Sequence, residues 1–172
     1  ARIPPATRLL FESLAPELPF GRRLLFANLW LFDLEPIVTF AEATDLFIAE
    51  LTPAANLAQN LGITLCLEPL VPSLTNFMND TVEGISVIQR MNHPAVKLVL
   101  DVKQITRESR SFESALDMAL PWLAHVHVND ANMQSPGEGE TDFVPIIRAL
   151  KTAGYMGVMS IEAFAPKYSS FK

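Results

Sequence analysis

Four short apolar runs, each carrying a residue able to ligate a metal, constrain this chain more than any other feature. They are ITLCLEPL around Glu68, VKLVLD ending at Asp101, AHVHV holding His125 and His127, and GVMSIE ending at Glu162. Each is the length of one buried strand, and the gaps between them match about one strand-plus-helix unit. A carboxylate that closes an apolar strand is costly to bury unless something pairs with it. Four strands that each present a carboxylate or an imidazole therefore point to one shared cation.

The text between the runs supports this rhythm. Ala54–Asn60 reads as a helix end stopped by Gly62, and Pro69 and Pro72 break the strand Ile63–Glu68. Asp80 with Glu83 resembles a helix start, with Val82, Ile85 and Ile88 recurring on one face. After the strand Val96–Asp101, Ser111 caps a helix through Leu120. The strand Ala124–Val128 and a polar loop, Asn129–Thr141, follow. Asp142 opens a helix through Lys151 with Ile146, Ile147 and Leu150 on its apolar side, closed by Gly154, before the last strand, Gly157–Glu162. This β-α-β-α-β-α-β alternation implies an α/β fold with parallel strands and right-handed crossovers. In a parallel α/β barrel the strand C-termini share one rim, where chemistry sits. The first sixty residues are less regular. Thr7–Leu14 reads as a helix, Arg23–Phe32 as a strand or a buried helix, and Leu34–Leu51 as helical. With no low-complexity linker, residues 1–172 read as a single domain.

Composition narrows the function. Hydrophobic residues make up 49% and mean hydropathy is +0.24, as in a globular chain. The net charge of −6 and pI near 5.0 argue against a nucleic-acid partner, which calls for a basic patch. The longest apolar stretch, Leu24–Phe32, is far below the ~20 residues of a membrane span, and the N-terminus carries no signal-peptide pattern. The single cysteine, Cys66, fits a reducing compartment and lies in an apolar run, where it reads as core. A soluble cytoplasmic protein is the expectation.

Glu68 and Glu162 each follow an apolar strand and read as ligands or bases. Asp101 reads as a ligand, with an N-cap or turn aspartate as the plain alternative. His125 and His127 point to one side of their strand. His125, deeper, reads as a core histidine bonded to backbone, and His127, nearer the rim, as a metal ligand. One imidazole and three carboxylates suit Mn²⁺, Mg²⁺ or Co²⁺, with Zn²⁺ a further candidate. Lys103 reads first as a solvated loop lysine and second as a contact for a substrate phosphate or carboxylate. Glu138, Glu140 and Asp142 read as a solvated turn and helix start, Gly137 and Gly139 as turn glycines, and Phe26, Trp30 and Phe32 as core.

GITLCLEPL, TNFMNDTVEG, NHPAVKLVLDVKQ and HVHVNDANMQSPGEGETDFVPIIRALKTAGYMGVMSIEAF resemble the sugar phosphate isomerase/epimerase group of xylose isomerase-like TIM barrels. The resemblance covers roughly residues 47–164, the last four βα units of such a barrel, and leaves 1–46 as a divergent or truncated N-terminal part. A chain of 172 residues is short of the ~250 of a complete barrel, so the expected architecture is a C-terminal half-barrel. The expectations for it are a fragment of a full barrel, pairing with a missing N-terminal half or, as a homo-oligomer, with a second copy, or a gap patched by Leu24–Phe32. The resemblance implies a divalent metal held by Glu68, Asp101, His127 and Glu162. It also implies that Glu68 and Glu162 carry out proton transfers on a small sugar or polyhydroxy carbonyl compound through an enediolate. Two departures stand out. Epimerases of this group usually show Asp-x-x-His where this chain has Gln104, and an arginine where it has Met133. These changes weigh against a ketohexose substrate. Gln104 and Lys103 are the expected substrate contacts. The competing readings are a non-catalytic remnant acting as a binding module and a metal-dependent AP endonuclease. Three histidines and an acidic pI weigh against the latter.

Overall fold

A computed structural model describes the strand 23–27 and residues 39–165. The helix read at Thr7–Leu14 and the core reading of Phe26, Trp30 and Phe32 lie outside the described residues and side chains. Among the described residues five strands form one parallel sheet in sequence order: β1 (Arg23–Ala27), β2 (Ile63–Leu67), β3 (Val96–Asp101), β4 (Leu123–Val128) and β5 (Val158–Ile161). Helices connect them: α1 (Phe40–Asn60) before β2, α2 (Thr81–Met91) before β3, α3 (Val102–Ile105) and α4 (Phe112–Ala119) before β4, and α5 (Phe143–Thr152) before β5. The half-barrel of the sequence reading is present, and Arg23–Phe32 resolves into a strand over Arg23–Ala27.

Local chemistry accounts for the helix ends. Thr39 and Glu42 form a reciprocal capping box on α1. Asp80, Ser111 and Asp142 each accept a backbone N–H at the starts of α2, α4 and α5, as their sequence positions predict. Gly154, just past α5, has φ +67°, which a glycine adopts without strain. The two helical stretches read at Leu34–Leu51 and Ala54–Asn60 are one helix. Pro53 lies inside it and removes one backbone donor, and the Thr52 hydroxyl bonds the Ile48 carbonyl one turn back at 2.6 Å.

The inward face of α2 differs from the expected one. Thr81, Gly84, Val87 and Ile88 are buried, whereas Val82 is 46% exposed. Gly84 sets this rotation. A Cβ there would meet Leu98 Cδ1 and Pro69 Cγ at 2.9 Å, so the helix backbone packs directly over β3 through its glycine. On α5, Ile146 and Leu150 are buried as expected, but Ile147 is 38% exposed.

The core lies between the sheet and its helices, with Leu65, Leu67, Leu98, Leu100, Leu116 and Val126 among its side chains. Phe77 is fully buried against Phe40 and Phe47, ring centroids 5.4 and 5.5 Å away. That contact turns the segment after β2 inward. Asn79 holds it closed by donating to the carbonyls of Leu70 (2.7 Å) and Thr75 (2.8 Å). Cys66 is fully buried, as read, and burial pushes its thiol up to about 12.

Candidate metal centre

Strand register brings the four candidate ligands together. β3 and β4 pair Leu98 with Leu123 but Val99 with His125, so Ala124 is skipped in a bulge. Without it Asp101 would lie opposite Val126. With it Asp101 lies opposite His127, and paired residues face the same side of a sheet. Glu68 immediately follows β2 and Glu162 immediately follows β5, where the Glu162 N–H donates to the Val128 carbonyl at 3.3 Å. One ligand atom from each of Glu68, Asp101, His127 and Glu162 lies within 4.8 Å of all the others. His127 Nδ1 is 3.1 Å from Glu162, 3.5 Å from Glu68 and 4.0 Å from Asp101.

Three clustered carboxylates repel one another, and little water reaches Glu68 and Asp101. The protonation pattern records that pressure. Burial, followed by the charge of Glu68, raises the Asp101 carboxyl above its ordinary range. Burial opposes a charged His127, yet hydrogen bonds and charges from Glu162 and Glu68 raise it to about 10. At Glu162 burial acts upward, but His127, the Asp101 hydrogen bond and the Lys103 charge outweigh it and hold the carboxyl below its ordinary range. Protons thus offset part of the cluster's negative charge, a task a divalent cation does better. The donor set is three carboxylate oxygens and one imidazole nitrogen without a thiolate, which fits Mn²⁺, Mg²⁺ or Co²⁺ and admits Zn²⁺.

Several supporting residues escaped the sequence reading. Asn129 is 1% exposed; its amide donates to Asp101 Oδ2 at 3.1 Å and its carbonyl oxygen accepts the Lys103 N–H at 3.1 Å. Asp101 Oδ1 accepts the Gln104 N–H at 3.1 Å, so Asp101 is at once a member of the quartet and the N-cap of α3. Asp130 gathers the next loop by accepting the N–H groups of Ala131, Gly139 and Thr141 and the Thr141 hydroxyl. Gly139 is more than a turn glycine, because a Cβ there would run into the Asp130 carboxylate. The only advance signal was the Asn-Asp pair directly after the HVHV strand.

His125 is buried as read, and its Nε2 is 2.7 Å from Ser160 Oγ on β5. Burial lowers its pKa to about 4, with the His127 charge adding to the effect, so it is neutral. Lys103 departs from its solvated reading, being only 6% exposed. The Gln104 side chain accepts the Val71 N–H at 3.4 Å, a contact with the segment after β2. Both line a cavity of about 150 Å³ with Glu68 and Glu162. A larger cavity of about 490 Å³ opens between α3, α4 and the start of α5, but none of the four ligands lines it.

A parallel sheet with clustered carboxylates and an imidazole at its strand ends defines a class of protein, and comparison with known proteins gives the family. The model of the xylose isomerase-like TIM barrel family matches residues 22–170, and the chain belongs to that family. It is 33% identical over 110 residues to a D-psicose 3-epimerase of Agrobacterium fabrum and 32% identical over 110 residues to one of Ruminiclostridium cellulolyticum. Each match covers 64% of this chain and 38% of the relative. The chain thus matches well under half the length of these relatives. The crystal structure of a D-allulose 3-epimerase from Methylomonas sp. superimposes with a TM-score of 0.81 at 25% identity, covering 94% of this chain and 56% of that one. No described helix is long and apolar enough to cross a membrane.

Proposed function

We propose that this chain supplies the catalytic rim of a divalent-metal-dependent isomerase or epimerase acting on a small sugar or polyhydroxy carbonyl compound. The observation that carries this reading is the convergence of Glu68, Asp101, His127 and Glu162 within 4.8 Å. Similarity to named sugar 3-epimerases supports the substrate class. Residues 1–172 are read as one domain, with 47–164 providing four βα units.

Glu68, Asp101, His127 and Glu162 would hold the metal, which when bound polarises a carbonyl or hydroxyl and acidifies the neighbouring C–H. Asp101 and His127 serve as ligands alone. Asn129 fixes the Asp101 carboxylate, as groups outside a metal's ligand set commonly do. Glu68 and Glu162 also work as the acid–base pair. One carboxylate takes the proton from the carbon next to the carbonyl, leaving an enediolate. The other carboxyl returns a proton to the opposite face in epimerisation, and solvent resets both. In the metal-free chain His127 Nδ1 lies 3.1 Å from Glu162 and 3.5 Å from Glu68 and holds Glu162 ionised; a bound divalent ion would take over that charge balance.

A second reading, a rim that binds but does not turn over, is favoured by one observation: the Glu162 side chain is 22% exposed on a strand with one described neighbour. Incubating Mn²⁺-loaded protein with ketoses in deuterated water separates the two. The isomerase reading predicts deuterium at the carbon next to the carbonyl; binding without any incorporation would leave the second reading standing.

A further inference from the structure

The cavity beside the quartet carries two cations that the proposed chemistry does not use. Glu68, Glu162, Lys103, Gln104, Arg107 and Met133 all line it. Burying a lysine is costly unless an anion or hydrogen-bonding groups receive its ammonium, yet Lys103 is 6% exposed. Among the described residues no carboxylate comes within ion-pair distance of Lys103 or Arg107. Arg90 and Arg110, in contrast, pair with Asp45 and Glu108 at 2.6 and 2.8 Å. The Lys103 backbone is itself fixed, its N–H held by the Asn129 side chain that also binds Asp101. The Lys103 backbone is therefore anchored to the same framework as the candidate metal ligands, and its side chain lines the cavity they share. Arg107 follows one turn later and is exposed at the cavity mouth. A guanidinium takes oxyanions in two-pronged fashion, and an ammonium adds a point charge. Glu68 and Glu162 balance Lys103 and Arg107 across the cavity lining; a divalent ion on the quartet would offset the carboxylates and leave the two cations in excess. A neutral sugar gives them no counter-charge, whereas an anionic substituent does.

We propose that Lys103 and Arg107 form an anion subsite beside the metal quartet, so that the substrate is a polyhydroxy carbonyl compound bearing a phosphate ester or a carboxylate. The proposal rests on the isomerase or epimerase reading for the reacting end of that substrate.

Calorimetric titration of the Mn²⁺-supplemented protein tests it with three ligands: a ketose with a terminal phosphate, its unphosphorylated parent, and the parent with a terminal carboxylate. At least one anionic ligand binds about tenfold or more tighter than the parent, and the stronger of the two identifies the anion. In Lys103→Met/Arg107→Gln that preference is lost, while the parent's affinity falls far less. Arg107→Gln alone, a change at an exposed position, loses part of the preference and serves if the double variant fails to fold. Equal affinity for neutral and anionic ligands, no binding of any of the three, or a preference that survives these substitutions overturns the subsite. Deuterium incorporation measured on the same complexes keeps the two proposals apart. Tight anion binding without exchange retains the subsite and removes the isomerase reading; exchange on the neutral parent without anion preference does the reverse.

Discussion

The ends of β2, β3 and β4 and the end of β5 carry the same kind of residue in different surroundings. Glu68, Asp101 and His127 are 2%, 2% and 3% exposed, whereas the Glu162 side chain is 22% exposed. The strands behind them differ in the same way. Leu98 and Val99 of β3 are fully buried, while Val158, Met159 and Ile161 of β5 are 55%, 45% and 63% exposed. β2, β3 and β4 each have a strand on both sides; β5 pairs only with β4 among the described residues. An apolar run ending in an acid therefore specifies where a candidate ligand stands, but its enclosure comes from its neighbours. Glu162 reaches the quartet because register places it there, with Ser160 opposite His127 and Ile161 opposite Val128.

The glutamates give the largest expected effect. Glu68→Gln and Glu162→Gln each keep the fold but lower turnover and solvent exchange by about 10²-fold or more, the scale of a lost general acid or base. Equal losses would show that exposure does not distinguish their roles; near-normal activity in either would end the two-glutamate mechanism. Substitutions in the strands sharpen the contrast. Leu98→Ala opens a cavity in the core and should cost about 2–5 kcal/mol, whereas Val158→Ala on exposed β5 should stay within about 0.5 kcal/mol. Comparable losses in denaturant titrations would mean that β5 is covered in solution.

A further effect is on pH dependence. The His127 pKa is raised from 6.5 to about 10, so the stability it contributes is full below about 6.5 and lost as pH rises through about 10. Asp101 acts with the same sign, because its raised pKa keeps a proton on the folded chain that the unfolded chain has released. Thermal melts of metal-free protein should fall across that window. Added Mn²⁺ should raise the melting temperature more at higher pH, because its ligands must be deprotonated. A metal-free melting temperature that rises between pH 6.5 and 10 would contradict the protonation pattern.

Much of this was legible in the sequence because each strand is an apolar run with a polar stop. Asp80, Ser111 and Asp142 announced their helices by side-chain chemistry that acts within three residues. The inner face of α2 was not legible, because Gly84 sets it through a close approach to Leu98 and Pro69. Asn129 and Asp130 looked like ordinary loop residues because their partners lie up to 28 residues away. The bulge that aligns His127 with Asp101 leaves no mark in composition or periodicity. Lys103 was misread because α3 was not foreseen, and the turn after β3 buries it.

The central claim is that strand ends assemble one cation site, and metal content tests it most directly. Elemental analysis of purified chain supplied with Mn²⁺ or Co²⁺ should find about one divalent ion per chain, lost in Asp101→Asn, as expected for one closed ligand set. No bound metal in the native chain, or metal retained in full by Asp101→Asn, would contradict a centre built from Glu68, Asp101, His127 and Glu162.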